Sequence, residues 1–150
     1  MKLSPHFSLS ELIASDWAER NGVDNFPPAD VLENLKRLAA KLEEVRALLD
    51  SPIIISSGYR NSKVNKAAGS KPTSSHVQGL AADIKCPEFG TTPELVCRAI
   101  ADSSIKFDQL ILEFFNPETG GGWVHIGINK QMRQQVLTIN SHGVFSGIHI

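Results

Sequence analysis

His76 and Asp83 stand seven residues apart in the segment Ser74-Ser75-His76-Val77-Gln78-Gly79-Leu80-Ala81-Ala82-Asp83, and His125 interrupts the otherwise apolar Trp123-Val124-His125-Ile126-Gly127-Ile128. Neutral imidazole is a common zinc ligand. A catalytic zinc site takes three protein ligands and keeps a fourth position open for water. One nitrogen, one oxygen and a second nitrogen supply that count. Each residue alone also has a plain reading: a surface histidine, an aspartate closing a strand, a hydrogen-bonded core histidine. On a helix, a spacing of seven would put His76 and Asp83 on one face two turns apart. Gly79 and the strand-like residues after it point instead to a loop-to-strand turn that folds His76 back towards Asp83.

Glu113 and Arg60 are the next groups with chemistry to offer. Glu113 precedes His125 by twelve residues. If the two strands pair as a hairpin centred near Thr119, Glu113 lies opposite His125, and Gln109, Ile111 and Glu113 share one face. A carboxylate there could take a proton from zinc-bound water and pass it to a leaving amine. The competing reading is an exposed edge-strand glutamate. Arg60 follows Ser56-Ser57-Gly58-Tyr59. Its planar fork suits a carboxylate or a developing oxyanion, and the competing reading is a solvated surface charge.

The elements that must position these groups can be read along the chain. Ser8-Leu9-Ser10-Glu11 has capping-box form, with Phe7 ahead as a staple residue, and predicts a short helix to about Ala18. Asn21 to Asn25 reads as a loop. Pro27-Pro28 opens the longest helix, to about Leu49, whose Val31, Leu32, Leu35, Leu38, Ala39, Leu42, Val45 and Leu49 form a core-facing stripe. Pro52 to Ser56 is a short β-branched strand. A polar stretch from Gly58 to Gly79 follows, then a strand from Leu80 to Lys85 and a helix from Thr92 to about Asp102. Asp108–Phe114 and Trp123–Ile128 make a hairpin across the Gly-rich loop Asn116–Gly122, and Gln135–Ile139 is a further candidate strand. Helices gather early and strands late, which gives an α+β fold, a small antiparallel sheet packed with N-terminal helices.

Length and composition bound the rest. At 150 residues the chain has the size of one domain, taken as 1–150. A net charge of −1 without any Lys/Arg-rich run argues against nucleic acid as a partner. No apolar run reaches the ~20 residues of a membrane span, so no stable membrane insertion is expected. Cys86 and Cys97 fit no Cys-rich zinc motif and read as reduced, partly buried thiols. The N-terminal residues lack the apolar core of a signal peptide. His142 and His149, flanked by Gly143 and Gly147, read as loop residues. The oligomeric state is not legible.

Taken together, Ser56-Ser57-Gly58-Tyr59-Arg60, Asn65, Ser74-x-His76-x-x-Gly79-x-Ala81-x-Asp83 and Trp123-Val124-His125 resemble the zinc D-alanyl-D-alanine carboxypeptidase-like peptidases. That family includes cell-wall carboxypeptidases, dipeptidases and phage endolysins, and it shares its fold with the hedgehog signalling domain. Phe7-Ser8-Leu9-Ser10-Glu11-Leu12 and Asp108-Gln109-Leu110-Ile111-Leu112-Glu113 resemble its phage and prophage branch. The resemblance covers about residues 7–128 and leaves 129–150 as a C-terminal tail. It implies a hedgehog/D-Ala-D-Ala peptidase-like fold. It also implies Zn2+ held by His76, Asp83 and His125, a substrate-binding and catalytic Arg60, and a substrate contact at Ser74. The implied activity is hydrolysis of peptide bonds in peptidoglycan stem peptides, by a carboxypeptidase or an endolysin-type endopeptidase. The expected location is the cytoplasm on synthesis, with action on the cell wall after release.

The chain departs from the family pattern at one place. Many members carry Glu or His two or three residues before the last ligand, where this chain has Gly122 and Trp123. Glu113 is chosen as the general base in its stead, with Asp108 and Glu118 behind it. The rival reading is a non-catalytic zinc-containing binding module, or a phage structural component of the same fold, since fold does not fix function.

Overall fold

The computed structural model describes residues 1–89 and 92–150 and is α+β. Two compact units divide the chain: residues 1–43 with 57–82, and residues 44–56 with 83–150.

The first unit begins with a two-stranded antiparallel ribbon, β1 (Lys2–Ser4) and β2 (Phe7–Ser8). The expected capping box is present: the Ser8 side chain accepts from the Glu11 backbone while the Glu11 carboxylate accepts from the Ser8 backbone. It opens α1 (Leu9–Ile13), which stops earlier than the predicted Ala18. Ala14 is extended, and Ser15 caps a separate helix, α2 (Asp16–Arg20), by accepting from the Ala18 backbone. Serine caps favour a fresh helix start over helix interior, so the break is local chemistry that the apolar pattern did not display. The long helix α3 (Ala29–Leu49) starts where Pro27-Pro28 predicted. Its Val31, Leu35, Leu38, Ala39 and Leu42 are buried with Phe7, Leu9 and Leu12 in the unit's core, and Leu32 is half-buried. The stretch from Gly58 to Gly79 is more regular than its polar sequence suggested. It holds α4 (Ser62–Ala67), capped by Asn61, and a 3₁₀ turn at Ser75–Gln78.

The second unit is built on a sheet larger than expected. Six strands lie in the order β3-β4-β6-β5-β7-β8, with β3 at Ile54–Ser57, β4 at Ala81–Lys85, β5 at Gln109–Asn116, β6 at Gly121–Gly127, β7 at Gln135–Asn140 and β8 at Gly143–Ser146. The sheet is mixed, because β7 runs parallel to β5. That corrects the small antiparallel sheet: the segment read as a tail contributes two strands. The helix α5 (Pro93–Ala101) matches its prediction and packs on β5 and β6. Leu110, Leu112, Val124 and Ile126 are fully buried on one sheet face. Ile84 and Val124 line a small cavity with Pro93 and Val96 of α5, so this is the face the helix covers. The other face is left for Ile111, Glu113, Trp123 and His125.

Candidate metal centre

His76 sits in the 3₁₀ turn at Ser75–Gln78 and is 2% exposed. The local sequence sets this turn. The Ser74 hydroxyl accepts from the His76 backbone at 3.3 Å as the N-cap. Gly79 ends the turn at φ 71°, where a Cβ would come within 2.9 Å of Val31. A left-handed glycine is therefore required there. The His76 Nδ1 lies 2.8 Å from the Gly58 carbonyl oxygen.

Asp83 and His125 come from β4 and β6. Both are buried, and the His125 Nδ1 lies 3.2 Å from the Asp83 Oδ1. The Ser56 hydroxyl donates to the Asp83 carbonyl at 3.2 Å. His76, Asp83 and His125 each offer one ligand atom, and these atoms all lie within 4.8 Å of one another. Among the described residues this is the group of His, Cys, Asp and Glu side chains that could hold a metal ion.

The donor set fits zinc. Two ligand atoms bound to one tetrahedral zinc at roughly 2.0–2.2 Å are about 3.3–3.6 Å apart. The Asp83–His125 separation of 3.2 Å is already that short. Two imidazoles and one carboxylate are the nitrogen and oxygen donors that zinc takes.

Glu113 adjoins this group, though not in the expected register. The hairpin pairs Glu113 with Trp123 and Ile111 with His125. Glu113 is therefore the diagonal neighbour of His125 and not its direct partner. Two offsets of one residue each cause the shift: the pair Asn116–Gly121 centres the turn between Glu118 and Thr119, and a β-bulge follows, where between Glu113–Trp123 and Asn116–Gly121 β5 has two residues and β6 one. Phe114 takes φ 52° and Gly122 φ 102° at this point. The slip is by two residues, so the parity holds and both side chains stay on the same face. The Glu113 Oε1 lies 3.8 Å from the His125 Nδ1.

The other candidate acids are placed elsewhere. Asp108 accepts from Arg133 at 2.8 and 3.0 Å through the guanidinium and again from its backbone. The Arg133 hydrogen bonds hold its carboxyl below the usual range against the opposing effect of burial. It ties down the start of β7, a task the sequence did not advertise. Glu118 is exposed in the hairpin loop.

Arg60 is half-buried. Its backbone donates to the His76 carbonyl at 3.1 Å, and its guanidinium reaches the Ser57 hydroxyl at 3.5 Å. His142 and His149 are exposed residues around β8, as expected, and neither belongs to the ligand group. Cys86 and Cys97 are free and buried, with burial pushing the Cys97 thiol up to about 12. Sequence reasoning passed over the Gly58 carbonyl and the Gly122 bulge, because a backbone atom and a dihedral angle leave no side-chain signal.

A model of the family described as Peptidase M15 matches residues 5–117, a span that includes Arg60, Ser74, His76, Asp83 and Glu113 and stops short of His125. No curated protein matches the chain. The matched segment covers about three quarters of the sequence, and the chain therefore belongs to the M15 peptidases, which are zinc-dependent metallopeptidases.

Proposed function

We propose that this M15 member hydrolyses peptide bonds in peptidoglycan stem peptides, working as one catalytic domain with the hedgehog/D-Ala-D-Ala peptidase arrangement. The observation that carries the reading is the buried His76-Asp83-His125 group in a chain matched to peptidases. When bound there, zinc supplies a Lewis acid for the scissile carbonyl and lowers the pKa of an attacking water. Glu113, 3.8 Å from His125, takes the proton from that water and hands it to the leaving amine. Arg60 holds the substrate carboxylate or the developing oxyanion, and Ser74 contacts the substrate beside the first ligand. The protein is made in the cytoplasm and reaches the wall after release, as an endolysin-type enzyme does.

Incubating the purified zinc-loaded protein with synthetic stem peptides, and separating the products, tests this directly. A new amine terminus or free D-alanine is expected. Zinc-loaded protein that cuts no stem peptide sinks the reading. The second reading, a zinc-holding binding module, rests on Gly122 and Trp123 standing where many relatives have a Glu or His. Retention on intact peptidoglycan without any cleavage would favour it.

A further inference from the structure

The segment Phe7 to Leu12 and the glycine of Ser57-Gly58-Tyr59 have no part in the chemistry just described. The structure gives them one. The Gly58 carbonyl oxygen lies 2.8 Å from the His76 Nδ1. A carbonyl only accepts, so Nδ1 must carry the imidazole proton in this contact. The lone pair of the neutral ring is then on Nε2. Gly58 is itself fixed in place: the Tyr59 backbone donates to the Leu12 carbonyl at 2.7 Å, and the Arg60 backbone donates to the His76 carbonyl at 3.1 Å. No side chain fits at residue 58, because a Cβ there would come within 2.3 Å of the Leu12 carbonyl oxygen. Leu12 lies in α1, whose start is set by the Ser8–Glu11 capping box and whose Leu12 side chain is fully buried.

We propose that Gly58 is the positioning residue for His76. Its carbonyl fixes the tautomer and ring orientation that present Nε2 as the metal ligand, and the Leu12 carbonyl of α1 holds it there. This rests on the reading of His76 as a ligand. Partners that hold the far nitrogen of a ligating imidazole set its tautomer and raise its basicity, and losing one typically costs about 10–100-fold in metal affinity. The opening helix is thus part of the metal centre although it supplies no ligand.

Two measurements on the full chain test it. Long-range ¹⁵N–¹H correlation of the histidine rings, on wild-type protein stripped of metal and then loaded with zinc, should show His76 protonated on Nδ1 in both states. Titration with Co(II), followed by its visible absorption, should show Gly58→Ala binding about 10–100-fold more weakly than wild type, with an altered band shape. His76 protonated on Nε2 overturns the inference even if Gly58→Ala fails to fold. A folded Gly58→Ala protein that binds Co(II) as wild type does also overturns it. Wild-type protein that takes no Co(II) overturns the metal reading, and this inference with it; the other two outcomes leave the metal reading standing.

Discussion

At the scale of single residues, the site divides into groups that would hold the ion and one that would move a proton. Asp83 and His125 are separated by 3.2 Å and Glu113 stands 3.8 Å from the same His125 nitrogen. Under the proposed mechanism Glu113 would act on a water at the ion from outside the group of His76, Asp83 and His125. Glu113→Gln keeps the size and the hydrogen bonding and removes the basic oxygen. It should retain zinc and melt like wild type, yet lose about 10² to 10⁴-fold in kcat, the usual worth of general base catalysis. Stem-peptide turnover together with metal analysis checks this, and a variant that loses its zinc would move Glu113 into the ligand set. Arg60→Ala should lose on the order of a hundredfold in rate, like removal of one oxyanion donor. Its melting temperature should hardly move, since the backbone contact to His76 survives the substitution. Near-normal turnover with a large loss of stability would show a structural arginine instead.

At the scale of elements, the β5–β6 hairpin shows what could be read in advance and what could not. Period-2 alternation places Glu113 and His125 on one face whatever the pairing, provided that the register keeps its parity. That much was legible. The register itself was not, because it depends on the bulge at Phe114 and Gly122, and a bulge is written in dihedral angles. Gly122 offered a hint, as a glycine within a strand often marks a bulge. Its replacement should be costly: a Cβ at 122 would meet the Glu113 carbonyl oxygen and the Phe115 backbone at 2.7 Å, at φ 102°. Gly122→Ala is expected to destabilise by about 1–3 kcal/mol through backbone strain and to lower activity by displacing Glu113. Denaturant unfolding and turnover of the same preparation would show both effects, and an unchanged midpoint would mean that the hairpin tolerates the side chain.

The β5–β7 pairing adds a dependence on pH. Arg133 lowers the pKa of Asp108 in the folded state. A depressed carboxylate contributes stability that is present above its unfolded value, about 3.9, and is lost as pH falls through the lower folded value. Asp108→Asn should therefore be less stable than wild type at neutral pH, because it loses the charge in the Arg133 hydrogen bonds. The gap should close in acid below pH ~4. Urea midpoints across that range test it, and a gap that persists unchanged at low pH would point to packing and not to charge.

At the scale of the molecule, the α+β class, the long helix and the grouping of His76, Asp83 and His125 were legible because each rests on residue type and spacing. The six-stranded mixed sheet was not, because β8 is exposed along its whole length and carries no alternating pattern to betray it. The break between α1 and α2 was hidden for a related reason, since it turns on one serine hydroxyl. The three candidate ligands come from a 3₁₀ turn, the strand that follows it at once and a strand 42 residues beyond Asp83. An ion held by all three can bind only the folded chain, and that has a measurable consequence. A ligand that binds the native state alone stabilises it by RT ln(1 + [L]/Kd), about 2.7 kcal/mol at a hundred times Kd. For a chain of this length, that is a rise of roughly 5–10 °C in melting temperature. Zinc added to chelator-treated protein should raise Tm by this amount and continue upward with the logarithm of its concentration. His125→Ala should fold, because the residue lies at a half-polar sheet face away from α5, but its Tm should no longer respond to zinc. Differential scanning calorimetry of the two proteins at matched zinc concentrations decides the matter. An equal zinc-induced shift in His125→Ala would remove His125 from the metal centre.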